Sequence, residues 1–194
     1  MSRTEMSRLF QTLLIASTLV LSWLGMQAVH ELGHVVGAWA GGETVSKVVL
    51  HPLVISRTDA SHDRHPLLVV WGGPILGSLL PLVVLGISRL IRSGFSYLFQ
   101  FFTGFCLVAN GAYVGVGSFG GVGDAGELIR YGASRWMLII FGLASVPLGL
   151  SLWNGLGTHY GVGKTSGEVD RRAAVWTLGL VLIVVLVEVV LGSR

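Results

Sequence analysis

The sequence predicts an all-α polytopic membrane protein, one integral domain over residues 1–194 with about five transmembrane helices and a short β-hairpin-like insertion after the first. Three observations predict it. The chain is 52% hydrophobic and only 12% charged, with a mean hydropathy of +0.74. Charge that sparse cannot cover a soluble globule, whereas lipid asks for no such cover. Five apolar stretches are long enough, or nearly so, to cross a hydrocarbon core that takes about 20 helical residues. One run between them is rich in β-branched residues instead.

The first stretch, residues 9–40, holds 32 residues. At 1.5 Å per residue that is roughly 48 Å, against a core of about 30 Å, so it must tilt or end inside protein. It opens like a signal peptide, basic then apolar, but runs on without a small-residue cleavage site and is read as a retained span. Next comes "GGETVSKVVLHPLVISRTDASHDRHP", in which Thr44 to Leu50 and Val54 to Thr58 read as paired strands broken by His51-Pro52. Beside a membrane, such strands need their backbone groups paired, buried or wet.

The second span, residues 67–87, opens "WGGPILGS". Gly73 and Gly77 give it a G-x-x-x-G face for close helix approach, and Pro74 and Pro81 invite irregular backbone. The third, residues 95–116, buries Asn110, whose amide needs a partner on another helix, or substrate or water. The glycine-rich run that follows reads as a flexible loop. The fourth and fifth spans cover 136–153 and 173–191, with Glu188 expected to snorkel to the interface or pair with a neighbour. Cys106 is the single cysteine, which excludes an intrachain disulfide.

A net charge of +3 does not imply nucleic acid, because the basic residues are scattered beside apolar segments rather than interleaved with aromatics. If the spans alternate, seven Lys and Arg fall on the N-terminal side, Lys164 among them, and six on the other, ending with Arg194. That balance sets no orientation. Two G-x-G-x-x-G matches, from Gly115 and from Gly121, follow no strand, and "GVGKTSGE" has Thr158 where a Walker A loop needs its first glycine. No nucleotide is expected. His62 and His65 read as a solvated loop, and His51 and His159 lack a partner motif.

The chemistry sits in "QAVHELGHVVGAW". His30-Glu31-Leu32-Gly33-His34 fits H-E-x-x-H, and on a helix positions i and i+4 share a face, so both imidazoles reach one ion. Zinc, one Zn2+ per chain, suits imidazole, and a catalytic site takes three protein ligands. Glu31 is then placed to take a proton from an activated water. Gly33 leaves the helix surface open for a close neighbour. The plainer reading is a hydrogen-bonded polar cluster inside a bundle, against which stands the cost of an acid in a membrane span. The third ligand is sought in "SFGGVGDAGELIRYG": Asp124, with Glu127 as the alternative. Alternating spans put the ends of the first and third on one side, bringing Asp124 to the histidines' depth. Its plainer reading is a turn carboxylate or an N-cap ahead of "AGELI".

HELGH at the end of an apolar helix, followed by a β-rich loop, resembles the site-2 protease family of intramembrane metalloproteases, and the compact build is similar to its small bacterial members. "GGPILGSLL" resembles the start of that family's next helix, and "GDAGEL" its aspartate-glycine motif. The resemblance covers about residues 20 to 130. Where the family has an asparagine and a proline shortly before Asp-Gly, this chain has Asn110 far upstream, a glycine-rich run, and Ala125 after the aspartate. The resemblance implies His30, His34 and Asp124 as zinc ligands and Glu31 as base. It implies an endopeptidase cutting membrane-embedded protein or peptide substrates in the bilayer of a bacterial inner membrane. The strands would hold an unwound substrate as an added strand, with Val48, Val49, Gly73 and Asn110 as candidate substrate-binding residues. The alternative is a catalytically inactive metal-binding membrane protein that binds or regulates a partner.

Overall fold

The computed structural model describes residues 2–163 and 167–192. Residues 164–166 of the "GVGKTSGE" stretch, and residue 194 of the charge balance, lie outside the described residues. The element order is α1 (Arg3–Gly41), β1 (Val45–Val49), β2 (Arg57–Ala60), α2 (Pro66–Leu90), α3 (Ser96–Gly120), α4 (Gly123–Arg130), α5 (Arg135–Trp153), a 3-10 turn (Leu156–Tyr160) and α6 (Arg171–Gly192). Five of these helices, α1, α2, α3, α5 and α6, are long and apolar enough to cross a membrane.

α1 starts before its apolar stretch because Ser2 and Glu5 form a capping box. The Glu5 amide donates to Ser2 Oγ and the Ser2 amide to the Glu5 carboxylate. The other long helices take their direction from their contacts with it. α3 and α6 run parallel to α1: His30 meets Asn110 and Gly25 meets Phe102, while Phe10 meets Arg171 and Ser17 meets Thr177. α2 runs antiparallel, with Gly33 against Gly72 and Gly37 against Leu68. The prolines expected to disturb α2 leave it continuous over 25 residues.

α5 lies antiparallel on α3 along a seam of glycines. A Cβ on Gly149 would stand 2.7 Å from the Gly104 carbonyl oxygen, and one on Gly142 2.8 Å from that of Gly111. Backbones that close gain van der Waals contact along the whole seam.

The glycine-rich run is not the flexible loop expected of it. Gly115, Gly117 and Gly120 are helical and extend α3, and only residues 121–122 separate it from α4. Gly121 and Gly123 take left-handed φ of +62° and +55°, which reverses the chain. Gly123 also presses against the Tyr113 ring, where a Cβ would overlap the phenol. α4 therefore packs back against α3, with Ala125 beside Gly117, and Asp124 at its start meets His30.

β1 and β2 pair antiparallel, with Val48 opposite Thr58 and Val49 opposite Arg57. The second strand begins later than the expected Val54. The Leu53 and Val54 amides are spent on His51, and the Ser56 amide donates to Gln27 Oε1 at 3.1 Å. A turn so satisfied leaves Arg57 as the first residue free to pair. The hairpin thus lies back along α1, its mouth beside Glu43 and its tip level with Gln27.

Glu43 holds that mouth. Its carboxylate accepts from Ser61 Oγ at 2.6 Å and from the Arg64 and His65 amides at 2.6 and 2.9 Å, just ahead of α2. Those bonds, Ser61's first, hold its pKa down from 4.5 to about 2. A carboxyl depressed in the folded state stabilises above its unfolded pKa and loses that contribution as pH falls towards the folded value. The melting temperature of wild type should therefore exceed that of Glu43→Gln at pH 6, and the gap should close between pH 4.5 and about 2. A gap constant across that range would show that Glu43 is not the group titrating.

Of the two expectations for Glu188, snorkelling fails, while His51 is near enough to interact with it electrostatically. Glu188 is buried on α6 rather than snorkelled outward, and its Oε2 has no hydrogen-bond partner among the described residues.

Candidate metal centre

His30 and His34 sit one turn apart on α1, 8 and 9% exposed, facing α2 and α3. His30 Nε2 lies 3.0 Å from His34 Nε2 and 2.9 Å from Asp124 Oδ2, and His34 Nε2 lies 3.4 Å from the same oxygen. Among the described residues these three form a group able to hold a metal ion. Ligands at about 2.1 Å around a tetrahedral ion stand about 3.4 Å from one another, so the spacing fits with little adjustment.

The far side of each ring settles its proton. His34 Nδ1 is 2.9 Å from the Val69 carbonyl, which can only accept, so this nitrogen donates. His30 Nδ1 is 2.6 Å from Asn110 Oδ1, whose Nδ2 already donates to the Cys106 carbonyl, so again the ring nitrogen donates. Both neutral rings then turn an Nε2 lone pair towards the other and towards a carboxylate. Three lone pairs facing inward need a shared cation, a proton at the least, and a metal ion satisfies all three at once.

Burial pushes the Asp124 carboxyl up; with the facing ring nitrogens protonated, their hydrogen bonds and charge outweigh it and hold the carboxyl well below its ordinary range. The Asp124 amide reaches Tyr113 Oη at 3.3 Å, a second tie between α4 and α3. Glu127, one turn further along α4, does not join the group. Gly73 forms the wall: a Cβ there would stand 2.5 Å from His34 Cε1 and 2.8 Å from His30 Nε2. The cradle is open because that position has no side chain.

Glu31 is 3% exposed and lies outside the converging three. Its Oε2 accepts from Thr58 Oγ1 on β2 at 2.7 Å. Asn110, expected either to bridge helices or to meet substrate, is 2% exposed and committed to His30 and Cys106. Val48 is exposed and Val49 half-buried on β1, on the hairpin rather than in the cluster. The remaining histidines go elsewhere: His62 stacks on Tyr131, His159 on Tyr97, His51 accepts from the Leu53 amide, and His65 takes the N-cap position of α2 without a side-chain capping bond.

Thr58, Tyr113 and Glu43 were missed by sequence reasoning. No local signal marks Thr58 or Tyr113, because each acts through a partner distant in sequence; for Glu43 the one hint is an acid beside the Gly41-Gly42 helix end. No protein-family model matches the chain, and neither does any curated protein or solved structure.

Proposed function

We propose that this chain is a zinc-dependent intramembrane endopeptidase. One observation carries the reading: two imidazole lone pairs and a carboxylate converge within 3.4 Å of one another, beside a buried glutamate one residue from the first ligand. His30, His34 and Asp124 would hold the ion, with Asn110 and the Val69 carbonyl fixing the rings from behind. When bound, zinc acidifies water and polarises a peptide carbonyl. Glu31 takes the proton from the attacking water and delivers it to the leaving amine.

A transmembrane helix hides its carbonyls in hydrogen bonds, so its substrate segment must be extended first. Among the described residues β1 has β2 as its sole ladder partner, and the other edge, carrying Val48 and Val49, suits an added strand. The five apolar helices support a bilayer setting, and so does the hairpin tip, where Leu53 and Ile55 are 88 and 85% exposed. That tip lies level with Gln27, 14 residues or roughly 21 Å back from the end of α1. Exposed apolar side chains at that depth suit lipid.

Elemental analysis in detergent tests the centre: about one zinc per wild-type chain, lost in His34→Ala and Asp124→Ala. Glu31→Gln should keep the metal and lose cleavage of a membrane-embedded peptide. A wild type that takes up no zinc when supplied with it, or a Glu31→Gln variant that still cleaves, would overturn the reading.

A further inference from the structure

The hairpin is tied to α1 and the residues just past its end at three levels: Ser56 to Gln27, Thr58 to Glu31, and Ser61 to Glu43. The outer two hold backbone and loop. The middle one holds the buried carboxylate that stands beside the metal cluster without joining it. Thr58 Oγ1 is 2.7 Å from Glu31 Oε2 and 3.4 Å from the Glu31 main-chain oxygen, so the hydroxyl bridges the top of that residue. An ionised carboxylate only accepts, so the Thr58 hydroxyl is the donor.

We propose that Thr58 is the positioning residue for Glu31, fixing Oε2 so that Oε1 is the proton acceptor and coupling the hairpin's placement to the base. The proposal rests on the hydrolytic reading given above. A carboxylate with both oxygens free samples several rotamers. One oxygen held by a hydroxyl, on a strand anchored above and below, leaves a single oxygen to work. Thr58 pairs with Val48 in the ladder, so a peptide strand added on the far edge of β1 presses on the strand that holds the base. An extended substrate would thereby steady the group that attacks it.

The test compares Thr58→Val, which keeps shape and drops the hydroxyl, with Thr58→Ser, which keeps the hydroxyl. Thr58→Val should bind zinc as wild type does and melt at a similar temperature. Its kcat should fall by about 10- to 100-fold, as when an outer partner of a metal site is removed, with KM changed by less than about threefold. Thr58→Ser should restore most of kcat. A readout independent of turnover is the carboxylate stretch assigned to Glu31 by infrared difference against Glu31→Gln. Thr58→Val should shift that band and Thr58→Ser should not.

A shifted band in a protein that hydrolyses nothing would uphold the Thr58–Glu31 tie and sink the protease reading. Glu31-dependent cleavage with an unshifted band and unchanged kcat would sink the Thr58 proposal alone. Equal losses in Thr58→Val and Thr58→Ser, or a rise in KM without a fall in kcat, would also overturn it.

Discussion

Gly73→Ala is expected to empty the metal centre while leaving the helices folded. The added Cβ would stand 2.5 Å from His34 Cε1 and 2.8 Å from His30 Nε2, inside van der Waals contact. Neither ring can retreat without loss, because Asn110 Oδ1 and the Val69 carbonyl hold their far nitrogens. Rotating a ring off its partner breaks a buried hydrogen bond and turns its lone pair away from Asp124. Misplacing a ligand costs at least as much as removing the group that orients it, so zinc affinity should drop by about 100-fold or more. Competition against a chelator measures this, with far-ultraviolet circular dichroism confirming intact helices. Affinity within about threefold of wild type would mean that Gly73 does not wall the site.

Gly33→Ala should act on the fold first and on the metal as a consequence. A Cβ at Gly33 would overlap the Gly72 carbonyl oxygen and stand 2.7 Å from its carbon and 2.8 Å from Gly73 Cα. All three are backbone atoms, so no rotamer change relieves the overlap and α1 must part from α2. Overpacking costs about 1–3 kcal/mol in well-packed interiors, and with only backbone to yield the upper end is expected. Gly86→Ala is the control, since nothing lies within 4 Å of a Cβ there. An alanine in an exposed helix interior is favourable by about 1 kcal/mol, so this variant should melt at or above wild type. Thermal unfolding in detergent should rank Gly33→Ala far below both. If it melts with wild type, the helices are less tightly apposed than the Gly33–Gly72 contact requires.

What could be read from the chain and what could not divide along a physical line. Length and apolarity are local properties, so the five long helices were legible, though each outruns its apolar stretch because backbone hydrogen bonds do not stop where hydrophobicity does. α1 begins at Arg3 rather than residue 9 once Ser2 and Glu5 cap it. The facing of His30 and His34 was legible because helix periodicity dictates it. The partners of those side chains were not. Nothing near His30 announces Asn110, 80 residues on, and nothing near Glu31 announces Thr58, 27 residues on. The hairpin was legible as β-branched sequence, but its register was set by Gln27 capturing Ser56, a contact between elements. The glycine run was misread because glycine marks both loose backbone and close helix contact, and only the neighbouring α5 tells which.

Asp124 arrives late. It stands 94 residues after His30 in the chain, and synthesis at about 5–20 residues per second separates their emergence by roughly 5–20 s. In that interval α1 and α2 can already pair through Gly33 and Gly72, presenting two imidazoles and no acid to complete the trio. Until Gly121 and Gly123 turn α4 inward, the two imidazoles lack the carboxylate that completes the candidate metal site. On the hydrolytic function proposed above, such a chain would be born inert, its folding order delaying activity until α4 is in place.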